Sequence, residues 1–303
     1  MNQTQEVVFR VKRLSLSAAL VASGVLFLPG NAKAQEVYTM SNGGSTATVN
    51  VGNTGVLGMN SWSVLGGQNQ LNQQWFWYSV NGVAQQPINV IGTASVFNFS
   101  NPASPIDNLG VVYQNAQLSV QIQYVLSGAG ASSGNADMME YISIVNNEAA
   151  PINLSFYQYS NFNLFQNSQN SVSISGSPGA YTGALQTAGG PGGNGIAEVI
   201  EAPLANDAEA GTVPTTFNEL NSGSYYTLNN NTSAGPGDVT WAFQWNATLQ
   251  ANGSVDQYGN PTDTLDITKD KGLSIQLVPE PSTLAFIALG ISALGLSLRR
   301  KSA

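Results

Sequence analysis

Between residues 117 and 126 the chain alternates strictly. Leu118, Val120, Ile122, Tyr124 and Leu126 fall on one side, and Ser119, Gln121 and Gln123 on the other. A period of two over this length predicts an antiparallel strand with one buried face. Residues 241–250 repeat it, with Trp241, Phe243, Trp245, Ala247 and Leu249 on one face and Ala242, Gln244, Asn246 and Thr248 on the other. Shorter alternations at Val172/Ile174, Ile142/Ile144, Ile152/Leu154/Phe156 and Leu273/Ile275/Leu277 predict further strands. So do residues 37–40, 46–51, 74–80, 94–99, 109–114, 180–186, 196–201 and 224–228.

Turn formers punctuate these runs, among them Asn42-Gly43-Gly44, Asn81-Gly82, the Gly-rich stretch 189–195 and Asn252-Gly253. Asn146-Asn147 and Pro151 predict a hairpin between the strands on either side. One short helix is expected near 214–220. More than ten strands at this spacing predict an all-β fold, a single large antiparallel β-sandwich of jelly-roll or supersandwich type over residues 35–278. A β-helix is the competing architecture, and no fixed repeat period supports it. The strand at 273–277 is expected to close the fold against the C-terminal segment.

Two apolar runs lie outside this pattern. The first spans 14–28 behind Arg10, Lys12 and Arg13. Pro29-Gly30 and Ala32-Lys33-Ala34 follow it, which predicts a secretory signal peptide over 1–34, cut by signal peptidase between Ala34 and Gln35. The second run, 284–298, follows Pro279-Glu280-Pro281 and precedes Arg299-Arg300-Lys301. As a helix from Pro281 it would span about 27 Å, near the lower limit for a bilayer core, with the basic cluster on the cytoplasmic side.

This order of motif, apolar helix and terminal arginines resembles the PEP-CTERM sorting tail of Gram-negative bacteria. The resemblance covers residues 278–303 and implies an exosortase, a membrane-embedded protease-transpeptidase, as processing partner. Pro279, Glu280 and Pro281 would be the sorting motif, with Arg299, Arg300 and Lys301 as the retention cluster. It further implies transient anchoring of 279–303 in the inner membrane, then release to the cell surface or extracellular matrix.

Charge changes the picture once both ends are set aside. Only Lys269 and Lys271 of the nine basic residues lie in the body, against fifteen of the seventeen acids, so its net charge is about −13 rather than −8. A body without Arg cannot neutralise a run of phosphates, which excludes nucleic-acid binding. The chain has no Cys and no His, which removes disulfides, thiol nucleophiles and every histidine-dependent triad or zinc site.

What remains is carboxylate chemistry. A hydrolase of glycans needs two carboxyl groups facing a cleft, and the sequence pairs are Asp137 with Glu140, Glu198 with Glu201, and Asp263 with Asp266. Asp256, Asp263 and Asp266 are also oxygen ligands of the kind calcium takes, in a stretch read as an acidic loop, although the spacing is not that of an EF-hand. Trp75-Phe76-Trp77-Tyr78 could present Trp75 and Trp77 on one strand face as a platform for an extracellular polysaccharide; the competing reading is core. The expected function is a non-enzymatic exported surface or matrix protein without cofactor. A carbohydrate-binding module is the alternative, and a hydrolase comes behind it.

Overall fold

The computed structural model describes residues 36–166, 169–189 and 195–275. They build two large antiparallel sheets packed face to face. In chain order the strands are β1 (Val37–Asn42), β2 (Ser45–Asn50), β3 (Gly58–Val64), β4 (Leu71–Val80), β5 (Gln86–Pro87), β6 (Ser95–Asn98), β7 (Asn108–Gln114), β8 (Leu118–Gly128) and β9 (Asn135–Asn146). Then come β10 (Ile152–Phe162), β11 (Asn170–Ser177), β12 (Ala180–Ala188), β13 (Gly195–Ala202), β14 (Asp207–Thr212), β15 (Ser233–Gly237), β16 (Val239–Leu249) and β17 (Thr264–Ser274). A single α-helix among the described residues, α1 (Thr215–Leu220), lies where the sequence expects it.

Sheet A runs β1-β2-β3-β4-β10-β16-β14, with β5 on β4; sheet B runs β15-β11-β12-β13-β17-β9-β8-β7-β6. The strongest alternations became the strands they predict. On β8 the residues Leu118, Val120, Ile122, Tyr124 and Leu126 are buried in the core between the sheets. The β1–β2 hairpin turns on Gly43-Gly44, both at positive φ, which costs glycine little and L-residues with a Cβ much more. Gly58, also at positive φ, brings β3 so close to β4 that a Cβ there would collide with the Trp75 ring.

Three expectations are corrected. β9 and β10 are not a hairpin: β9 pairs with β8 and β17, whereas β10 pairs with β4 and β16 in the other sheet. Asn146 makes this arch, its amide bonding the Ala150 and Gln250 carbonyls while its backbone N–H bonds Asp263. Residues 224–228 form no strand. Gln85 holds Tyr226 through the backbone at both ends instead, donating to the Tyr226 carbonyl and accepting from its N–H.

The third correction concerns β17. The latter part of the stretch read as an acidic loop, from Thr264 on, is a central strand, paired with β9 along its whole length and with β13 over 268–274. Its inward residues are Ile267, Lys269, Lys271 and Leu273, so the lysines stand where alternation leads one to expect apolar side chains.

Candidate functional site

The centre of the sandwich is charged. Lys269 of β17 sits directly opposite Glu140 of β9, and Lys271 directly opposite Glu198 of β13. Residues two apart on a strand share a face, so both lysines and both glutamates point inward. All four side chains are fully buried. Lys269 bonds Glu140 Oε2, and Lys271 Nζ lies 2.8 Å from Glu140 Oε1. Glu198 Oε1 lies 3.3 Å from Lys269 Nζ and 3.2 Å from Lys271 Nζ. Two positive and two negative charges thus form a neutral quartet, built entirely on sheet B.

Sheet A covers it with donors. Gln74 of β4 donates to Glu140 Oε1 at 2.6 Å. Gln158 of β10 and the Trp241 indole of β16 donate to Glu198 Oε2 at 2.8 and 2.7 Å. Lys269 Nζ also stands 5.4 Å over the Phe76 ring. Each glutamate therefore holds neighbouring strands of its own sheet and reaches across to the opposite sheet.

Burial alone would raise both carboxyls. The two ammonium groups outweigh it, so Glu140 is held down at about 2 and Glu198 is also lowered. Burial pushes Lys269 down, Glu140 draws it back and Lys271 pushes it down again, leaving it at about 8. Lys271 is raised, because both glutamates outweigh its burial.

Period two also re-sorts the sequence pairs. Asp137/Glu140 and Glu198/Glu201 are each three residues apart, so their members point to opposite faces. Glu140 and Glu198 go to the sealed interior, whereas Asp137, Glu201 and Asp270 gather on the outer face of sheet B. There burial, then the charge and hydrogen bond of Asp270, then Glu201 raise Asp137 to about 7. The two glutamates that converge have no exposed surface, so they cannot meet a substrate.

Of the two readings of the aromatic strand, glycan platform or core, the side chains are placed as core. Trp75 and Trp77 are 2 % and 1 % exposed. Trp77 lies under α1 and its C-terminal flank: its indole donates to Asn221 Oδ1 at 3.2 Å, and its ring meets Phe217 edge-on. Trp75 packs edge-on against Tyr113, and Phe76 stacks on Phe156 between the sheets. Both faces of β4 are covered, which removes the glycan platform at this strand.

Asp256 and Asp263 share the β16–β17 connection but serve as turn locks. Asp256 accepts the backbone N–H groups of Tyr258 and Asn260; Asp263 accepts that of Gly253 and the Thr264 hydroxyl. Asp266 projects from β17 and is exposed. The structure brings no three acids together as a metal-holding group among the described residues. The missed signal was Lys269-x-Lys271, the body's only basic residues, bracketed by Ile267 and Leu273 at strand spacing.

Outside the described residues the sequence itself decides. Residues 277–301 match the family model of the PEP-CTERM protein-sorting motif. The chain carries a PEP-CTERM sorting signal. Pro279, Glu280, Pro281, Arg299, Arg300 and Lys301 fall within it. The PEP-CTERM signal marks an exported protein with a C-terminal membrane-anchoring region, processed by an exosortase. These residues, the helix expected at 284–298 and the cleavage pair Ala34 and Gln35 lie outside the described residues.

No curated protein matches the chain in sequence. Among solved structures, a bacterial glucoamylase complexed with acarbose is similar at 11 % identity and a TM-score of 0.49, over 88 % of this chain and 36 % of the other. A putative aldose 1-epimerase of Escherichia coli K12 is similar at 10 % identity and a TM-score of 0.43, over 80 % of this chain and 99 % of the other. A polysaccharide lyase is similar at 12 % identity and a TM-score of 0.44, over 77 % and 33 %. The chain thus spans about a third of the length of the glucoamylase and of the lyase.

Proposed function

We propose that this chain is a non-enzymatic β-sandwich protein, released by an exosortase from its C-terminal anchor to the cell surface or extracellular matrix. The sorting motif at 277–301 carries the reading. Two features support a structural rather than catalytic body. The whole sequence lacks His and Cys, and the two glutamates that converge are enclosed between the sheets. A net charge of about −13 on the body keeps it soluble and repels other polyanions.

Mass spectrometry of the exported protein tests the sorting. The mature species is expected to begin at Gln35 and to lack the basic cluster Arg299–Lys301, and a host without exosortase is expected to retain the tail. An exported mature protein that keeps Arg299–Ala303 in a host with a working exosortase would sink the proposal.

A further inference from the structure

The charge quartet is arranged for a reaction as well as for packing. We propose that Lys269 and Glu140 condense into an intramolecular amide bond, a covalent cross-link between strands β17 and β9. Four observations point to it. The Lys269 amine and the Glu140 carboxyl are in direct contact, opposite each other in register on neighbouring strands. Both are fully buried, so bulk water cannot compete. The other carboxyl oxygen, Glu140 Oε1, is held by two donors, Lys271 Nζ at 2.8 Å and Gln74 Nε2 at 2.6 Å. Lastly, Glu198 Oε1 lies 3.3 Å from Lys269 Nζ and 3.2 Å from Lys271 Nζ, a carboxylate oxygen within reach of the Lys269 protons.

Each group has a defined part. The Lys269 ammonium passes one proton to Glu140 Oε2 along their hydrogen bond, giving a neutral amine and a carboxylic acid. The amine nitrogen attacks Glu140 Cδ, and the new C–N bond pushes the carbonyl electrons onto Oε1. Lys271 and Gln74 then stabilise that oxyanion, as fixed donors do where negative charge develops. Glu198 takes a proton from the nitrogen and returns it to Oε2. The Cδ–Oε2 bond breaks, water leaves and the amide remains. One amine and one acid become one amide and one water, with no oxidant or cofactor consumed.

The physical drive is local. Reacting groups held in contact need no encounter, which is the large entropic part of such barriers. Condensation also removes two of four buried charges, each costly to keep out of water, and leaves Lys271 and Glu198 as a neutral pair. Burial and the Lys271 charge bring the Lys269 amine down to about 8, which favours its nucleophilic form. The low value at Glu140 makes the neutral form of the pair the minor one, and the reaction passes through that form. An exported chain without cysteine would gain a covalent staple closing a loop between residues 129 positions apart.

Peptide mapping of the full chain, purified folded and digested with chymotrypsin in denaturant, tests the bond. The expected product is one branched peptide joining the Glu140 and Lys269 segments, lighter by one water than their sum. Lys269→Met is expected to abolish it. Glu198→Gln is expected to leave a folded chain with the two segments unlinked, because the proton carrier is gone. Recovery of both segments as separate linear peptides from the folded wild-type chain overturns the proposal, whatever the variants do. A branched peptide that persists undiminished in a folded Glu198→Gln chain overturns the part assigned to Glu198.

Discussion

Lys271 and Glu198 face each other across the β13–β17 ladder with their charged atoms 3.2 Å apart and neither side chain exposed. A pair in that position is a poor source of stability compared with packed apolar residues, yet it is costly to break. Removing one partner strands the other charge in a medium that cannot solvate it. Lys271→Met is expected to lower unfolding free energy by about 3–5 kcal/mol. Equilibrium urea denaturation measures it. The double variant Lys271→Met with Glu198→Met is expected to recover most of the loss, since no lone charge remains.

The aromatic strand makes a separate prediction. Trp77 is enclosed by Tyr159, Phe217 and Asn221. Trp77→Ala should therefore cost about 3–5 kcal/mol as a core cavity. It should also loosen α1, seen as faster proteolysis within 215–222. Tyr258, 80 % exposed in the β16–β17 connection, is the contrast. Tyr258→Ala is expected to stay within about 0.5 kcal/mol of wild type.

Glu209 pins the cover over sheet A. It is buried on β14 and accepts Thr216 Oγ1 at 2.6 Å, Tyr226 OH at 2.6 Å and the Asn229 N–H at 3.2 Å. Glu209→Ala leaves the Thr216 hydroxyl and the Asn229 N–H without this acceptor, at about 1–3 kcal/mol for each that stays buried. Hydrogen exchange is expected to speed up across 215–230 before the sheets are affected. Unchanged exchange there would rule out the pinning role.

A pH dependence follows from Asp137, raised from 3.8 to about 7 by burial and by Asp270 and Glu201. An acid raised in the folded state holds its proton more tightly there than in the unfolded chain. Between about pH 4 and 7 the folded chain thus binds a proton that the unfolded chain has released. Stability falls as pH rises through that window and stays at the lower level above it. Asp137→Asn is expected to flatten this slope and raise the melting temperature above pH 7, as thermal unfolding across a pH series would show. A wild-type slope unchanged in the variant would remove Asp137 as its source.

The sequence by itself determined the fold class, most of the strands and the export-sorting signal. Alternating stretches such as those of β8 and β16 can bury one face only as strands, and a sorting motif is read as linear sequence. Tertiary structure decided the faces and the partners. The sequence could not tell that α1 covers Trp77, because a strand buried on both sides and one with an exposed aromatic face share the same residues. Nor could it place Lys269 and Lys271 inside. Lysine in an alternating run reads as solvent-facing until two glutamates, from strands distant in sequence, are seen beside it. The pairs that sequence proximity suggested, Asp137 with Glu140 and Glu198 with Glu201, were separated by the pleat, which sends residues three apart to opposite faces. Only the pairing of β9, β17 and β13 brought Glu140, Lys269, Lys271 and Glu198 together, and burial made their charges matter.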